Sequence, residues 1–228
     1  MDNRFLRSEM LFGSENMQTL KNSKIIIFGA GGVGGAVIEA LARGGIGHIA
    51  VVDNDVVDIT NINRQLLATE NTVGMKKNAA AALRIKSICP ETAVEEFDLF
   101  YLPETADNID LSNYDYIIDA IDNVTAKLEL ISRAVSLNIP IISCMGTGNK
   151  IHPEMLEIAD ISKTSVCPLA RVMRRELRNR GINHLTVLYS KEEPFSRNSQ
   201  IPASSSFTPP VAGYLIASRV IRDILNLK

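Results

Sequence analysis

The stretch that decides the fold is Lys24-Ile25-Ile26-Ile27-Phe28-Gly29-Ala30-Gly31-Gly32-Val33-Gly34. Lys24–Phe28 is an apolar run of the kind that forms a strand buried on both faces. Behind the glycines, Val33, Val37, Ala40, Leu41 and Gly44 recur at helical spacing. A strand that turns through Gly29, Gly31, Gly32 and Gly34 into a helix lets the backbone approach a phosphate at a helix N-terminus, where negative charge is favoured. A second apolar run, Ile49–Asp53, ends in an acid nineteen residues after Gly34. A carboxylate there suits ribose hydroxyls. The unit reads as a nucleotide site, and at this point ATP and NAD both fit it.

Working outward, residues 76–88 and 124–137 are helical by pattern. Tyr116–Asp119 and Ile139–Ser143 read as strands, and Val94–Phe97 as a weaker one. Alternating strands and helices predict an α/β, Rossmann-like, doubly wound and mainly parallel sheet flanked by helices. We expect one domain over residues 1–228: an N-terminal helical arm at 1–22, a nucleotide-binding core at 23–145 and a smaller C-terminal extension at 146–228. In that extension 151–158 and 184–189 suit strands, and 166–180 suits an amphipathic helix. Residues 191–209 suit a long Pro- and Ser-rich loop. Residues 211–228 suit a closing helix, with Val211, Tyr214, Leu215, Ser218, Ile221 and Leu225 on one face. There are no internal repeats.

A net charge of −2 with 46% hydrophobic residues describes an ordinary globular chain with no global attraction to nucleic acid. Cys89, Cys144 and Cys167 are far apart and form no CxxC, so no four-cysteine zinc site is expected. The charged start MDNRFLRSEM predicts no signal peptide, and no long apolar run predicts a membrane span. A cytoplasmic location is the expectation.

The residues after the turn carry further chemistry: Asp53-Asn54-Asp55, Asn61-Ile62-Asn63-Arg64-Gln65, Gly74-Met75-Lys76-Lys77 and Asp119-Ala120-Ile121-Asp122-Asn123. In this order they resemble the ThiF/MoeB/HesA family, bacterial relatives of ubiquitin-activating enzymes, across nearly the whole chain. The resemblance implies carboxylate adenylation with ATP and Mg²⁺, and no NAD. It implies that Asp53 holds the ribose and that Asn61, Arg64 and Lys77 surround the triphosphate. Gln65 is a supporting contact, Asp122 is the Mg²⁺ ligand, and Asn123 and Asn63 complete the ATP-binding set. Arg64, Lys77 and Asp122 are the expected catalytic residues. Arg7 joins them by matching an arginine that dimeric members insert into the partner's site. Asn61 and Asn63 also suit plain turn or cap roles. Asp55 suits either a second acid of the nucleotide site or a helix cap. Asp119 suits a strand-end acid supporting the site. His48, His152 and His184 are isolated and suggest no nucleophile.

Most family members that activate a sulfur-carrier protein have two CxxC pairs, absent here. The blocks Ile161–Arg178 and Ser205–Gly213 instead resemble the branch that cyclises N6-threonylcarbamoyladenosine in tRNA. One departure is Cys167, where an acid is expected. The implied reaction is ATP-dependent dehydration through an adenylated threonyl carboxylate. The alternatives are an adenylyltransferase for a ubiquitin-like sulfur carrier and, more remotely, an NAD-dependent oxidoreductase. Arg171, Arg174, Arg175 and Arg178 fall at i, i+3, i+4 and i+7, a stripe suited to RNA phosphates. Val166, Leu169, Ala170, Met173 and Leu177 are expected on the opposite face. In contrast, residues 87–126 hold ten Asp or Glu and no Lys or Arg. The resemblance also implies a homodimer and allows a sulfur-transfer partner protein. No motif in the chain encodes either.

Overall fold

The computed structural model describes residues 3–195 and 203–227. Seven strands form one sheet: β1 (Lys24–Phe28), β2 (His48–Val52), β3 (Ala93–Phe97), β4 (Tyr116–Asp119), β5 (Ile141–Cys144), β6 (Leu156–Asp160) and β7 (Thr186–Ser190). Their order is β3-β2-β1-β4-β5-β7-β6, parallel except for the antiparallel edge strand β6. The helices are α1 (Leu6–Phe12), α2 (Ser14–Asn22), α3 (Gly32–Gly44), α4 (Lys77–Ile88), α5 (Val124–Ser136), α6 (Pro168–Asn179) and α7 (Thr208–Ile224).

The expected doubly wound α/β fold is therefore present. Strand pleating divides the core between the two faces of the sheet. Ile25 and Ile27 of β1 pack with α3, α4 and α7, whereas Ile26 and Phe28 pack with α5 and α6. The strand order reverses between β1 and β4, and a crevice opens beyond their carboxyl ends, as expected at such a switch point.

Three expectations need correction. The strand expected at 151–158 is β6 at Leu156–Asp160, because Pro153 opens a short 3-10 turn ahead of it. The closing helix starts at Thr208, with Pro209 and Pro210 in its first turn, where missing N–H groups cost nothing. Its most buried face is Ala212, Gly213, Ile216, Ala217 and Val220; of the expected face, Leu215, Ile221 and Leu225 do pack on the core, while Tyr214 and Ser218 are exposed. The physical reason is backbone proximity. A Cβ on Gly213 would lie 2.4 Å from the Val33 carbonyl oxygen, so α3 and α7 meet through small residues. Val166 likewise lies outside α6, half-exposed at φ 57, a strained conformation for a β-branched residue. Part of the loop expected at 191–209, residues 196–202, lies outside the described residues.

Candidate functional site

The glycine turn owes its shape to two close approaches. Gly29 has φ +92, and a Cβ there would meet the Ala120 carbonyl oxygen at 2.6 Å. A Cβ on Gly34 would sit 1.7 Å from the Gly29 carbonyl oxygen, so the turn folds back on itself and only glycine fits. Asp53 holds the turn from β2: one carboxylate oxygen accepts the Ala30 N–H at 2.7 Å and the other accepts the Asp55 N–H at 2.8 Å.

Around it lies a crevice of about 680 Å³. Gly29, Gly31, Gly32, Asp53, Asp55, Asn61, Arg64, Gln65, Lys77 and Asp122 all line it, from positions scattered over nearly a hundred residues. Asn61 is buried at the end of a 3-10 turn (Ile59–Asn61) capped by Asp58, and Gln65 is buried just beyond it, its backbone N–H donating to the Asn61 carbonyl at 2.9 Å. The Asn61 side-chain oxygen accepts the Asp58 N–H, so what Asn61 can offer the crevice is its NH₂ donor. Arg64 donates to the Thr60 carbonyl and to Asn63 Oδ1. Lys77 opens α4, and its nearly buried ammonium pairs with Asp55 at 2.6 Å. Asp122 is exposed and makes no hydrogen bond or ion pair among the described residues.

Some expected residues stand apart. Asn123 caps α5 by accepting the Ala126 N–H, and Asn63 donates to the Ser204 carbonyl; neither lines the crevice. Arg7 lies on α1, exposed and away from the crevice. On α6, Ala170, Met173 and Leu177 are buried, and Arg171, Arg175 and Arg178 are exposed. Arg174 turns back instead to donate to the Thr164 carbonyl and hydroxyl at 2.7 and 2.6 Å. Arg175 and Arg180 are paired with Glu176, leaving Arg171 and Arg178 as the stripe's unpaired members among the described residues. Cys167 is the buried N-cap of α6 and makes no capping hydrogen bond, which an acid would supply.

Several lining residues escaped the sequence reading. Phe28 packs edge-on to Tyr101, with ring centroids 4.8 Å apart, and Leu99, Phe100, Ala120 and Ile121 extend this apolar end. Burial raises the Tyr101 hydroxyl to about 12, so it stays neutral. At the other end are Met145, Gly146, Thr147, Gly148, Leu169 and Ser204. The detectable signal was position: Leu99–Tyr101 and Gly146–Gly148 follow the carboxyl ends of β3 and β5, where ligands sit in such sheets. The arrangement can seat a flat base at one end, charged phosphates in the middle and an acyl group at the other end.

Comparison with known proteins places the whole chain in one family. The ThiF family profile matches residues 5–228. A curated tRNA threonylcarbamoyladenosine dehydratase of Bacillus subtilis is 40% identical, over 99% of this chain and 96% of its own length. The crystal structure of the Escherichia coli tRNA N6-threonylcarbamoyladenosine dehydratase TcdA in complex with AMP superposes with a TM-score of 0.93 at 31% identity, covering 98% of this chain and 94% of that one. The same enzyme in complex with ATP gives a TM-score of 0.90 at the same identity and coverage.

Proposed function

The chain belongs to the ThiF family, and from that premise we propose that it is an ATP-dependent tRNA threonylcarbamoyladenosine dehydratase. The observation that carries this is the crevice itself. It gathers the turn, Asp53, Asn61, Arg64, Lys77 and Asp122 in a chain that matches the AMP- and ATP-bound E. coli enzyme along nearly its full length.

ATP lies with its base against the apolar end formed by Leu99–Tyr101 and Ile121, its ribose at Asp53 and its phosphates over the turn. Asn61 and Arg64 donate to phosphate oxygens, and Lys77 exchanges its Asp55 partner for the triphosphate. A threonyl carboxylate oxygen attacks the α-phosphorus, and pyrophosphate leaves. The positive groups matter most here, where negative charge builds up in a crevice partly shielded from water. The carbamoyl group of the same substrate then attacks the acyl carbon. Its bond to AMP breaks, a proton is lost and a ring closes. Such an intramolecular attack carries an effective molarity of about 10⁵ M or more, so no protein nucleophile is required. The three cysteines fit that reading: all are buried, and burial pushes the Cys144 thiol up to about 12, far from a reactive thiolate.

Mg²⁺ usually takes one or two carboxylates together with phosphate oxygens, and the unpaired Asp122 carboxylate is a donor of that kind. The ion would neutralise the departing pyrophosphate. Neither zinc nor NAD has a part in this reading.

The substrate is tRNA, met by Arg171 and Arg178, with Arg175 beside them, while Arg174 serves the fold. The active form is a homodimer, supported by the exposed Leu6, Met10 and Leu11 on α1. Arg7 on the same helix would reach the partner's crevice. We place the whole of residues 1–228 in one adenylating domain working in the cytoplasm. No helix among the described residues is long and apolar enough to cross a membrane. A sulfur-transfer protein remains compatible as an accessory partner.

The test is incubation with ATP, Mg²⁺ and tRNA bearing threonylcarbamoyladenosine, followed by mass spectrometry of the nucleosides. The modified nucleoside should lose one water. No loss, together with adenylation of a ubiquitin-like carrier ending in Gly-Gly, would replace this function with carrier activation.

A further inference from the structure

Lys127 has no part in the chemistry above, yet its side chain is fully buried together with Asp119, at 0% exposure for both. Its ammonium donates to Asp119 Oδ2 at 2.9 Å, to Ser143 Oγ at 3.3 Å and to the Cys144 carbonyl at 2.7 Å. Ser143 Oγ in turn donates to Asp119 Oδ2 at 2.5 Å. The other Asp119 oxygen accepts the Ile121 N–H at 3.1 Å.

Burying both charges is expensive, and an apolar pair of similar volume would pack as well. What an apolar pair would lack is direction. Asp122 hangs on the short connection from the end of β4 to the start of α5. One end of that connection is Asp119, which Lys127 holds through its side chain. The other end is Asn123, whose carbonyl accepts the Lys127 backbone N–H at 3.0 Å. The first-turn backbone bond fixes the Asn123 end whatever residue stands at 127, and the Lys127 side chain holds the Asp119 end of the loop and ties it to the end of β5, where the opposite wall of the crevice begins.

We infer that Lys127, through its ion pair with Asp119, is a positioning residue that holds the Asp122 carboxylate in register with the reacting phosphate. This rests on the proposed role of Asp122 in adenylation.

The experiment compares Lys127→Met, the charge-balanced Asp119→Asn/Lys127→Met double variant and Asp122→Asn. Lys127→Met alone leaves a buried carboxylate unpaired and can fail to fold, so the double variant carries the test. It should bind ATP with an affinity within about threefold of wild type, as expected when only a transition-state interaction is lost. Its turnover should fall about 10²-fold, the scale of a misplacement of about 1 Å. In the Asp122→Asn background that further loss should vanish, because both changes remove the same contribution. Wild-type turnover in the double variant overturns the proposal. So does a fall in ATP affinity that accounts for the loss of turnover, or losses that simply multiply with Asp122→Asn. If Asp122→Asn itself turns over normally, the role of Asp122 falls and the proposal with it. An inactive Asp122→Asn beside a fully active double variant overturns the positioning role alone.

Discussion

The two sides of the crevice are built on opposite principles. The side drawn from residues 29–77 is dense in polar groups that already have partners: Asp53 with two backbone N–H groups, Lys77 with Asp55, and Arg64 with Thr60 and Asn63. The side drawn from residues 144–148, 169 and 203–209 contributes no charged side chain to the lining. Pre-paired groups such as Asp53 and Arg64 are held in place before a ligand arrives, whereas Lys77 meets an incoming phosphate only by giving up Asp55. A neutral wall suits an uncharged carbamoyl and nucleoside. The division predicts that activation depends on the first side and choice of substrate on the second.

The sharpest way to break this comparison is Arg64→Ala. Turnover should fall about 10²–10³-fold, the usual cost of losing one transition-state donor. Thermal melting should show the fold intact, and unchanged turnover would remove Arg64 from the mechanism. Thr147→Val probes the other side. Loss of one hydrogen bond should raise KM for tRNA about tenfold and leave KM for ATP unchanged. An effect on ATP instead would erase the division.

Outside the crevice, the double substitution Arg171→Glu/Arg178→Glu should weaken tRNA binding and lower the slope of log affinity against log salt by about 2. Titrating tRNA at several salt concentrations checks this, and an unchanged slope would place the RNA elsewhere. The smallest effect is expected at Glu39, in mid-α3. Burial alone would raise its carboxyl, but hydrogen bonds and charge from Arg84 and Arg43 outweigh it and hold it below its ordinary 4.5. A depressed carboxylate stabilises the fold above its unfolded pKa, and that contribution is lost as pH falls through the folded value. Both arginines are about half-exposed, so screening limits the contribution. Glu39→Gln should lower Tm at neutral pH by about 2–4 °C, with the gap closing below pH 4.5 and turnover unaffected.

What could be read from the sequence was local. The glycine turn, Asp53, Asn61, Arg64, Gln65, Lys77 and Asp122 each announce themselves within a few residues of a strand end or helix start. Features that depend on what packs from elsewhere could not be read in the same way. Counting apolar residues put Tyr214 on the buried face of α7, where it is exposed, because the decisive contact is the absent side chain of Gly213 against α3. Arg174 looks like its stripe neighbours until Thr164 is seen beneath it. Lys127 has the spacing of an ordinary helix lysine, and only the neighbouring β4 and β5 make it a buried one. Thr147 and Tyr101 line the crevice from just beyond β5 and β3, a position that strand ends signal but that no local motif marks.

The central claim is that this enzyme adenylates the carboxylate of its substrate. It is tested most directly with a heavy-oxygen label in the threonyl carboxylate of tRNA-bound threonylcarbamoyladenosine, followed by mass spectrometry of the products. An acyl-adenylate carries one carboxylate oxygen to phosphorus and releases it with AMP, so the AMP should carry one labelled oxygen for each ring closed. Ring closure with unlabelled AMP would contradict the account.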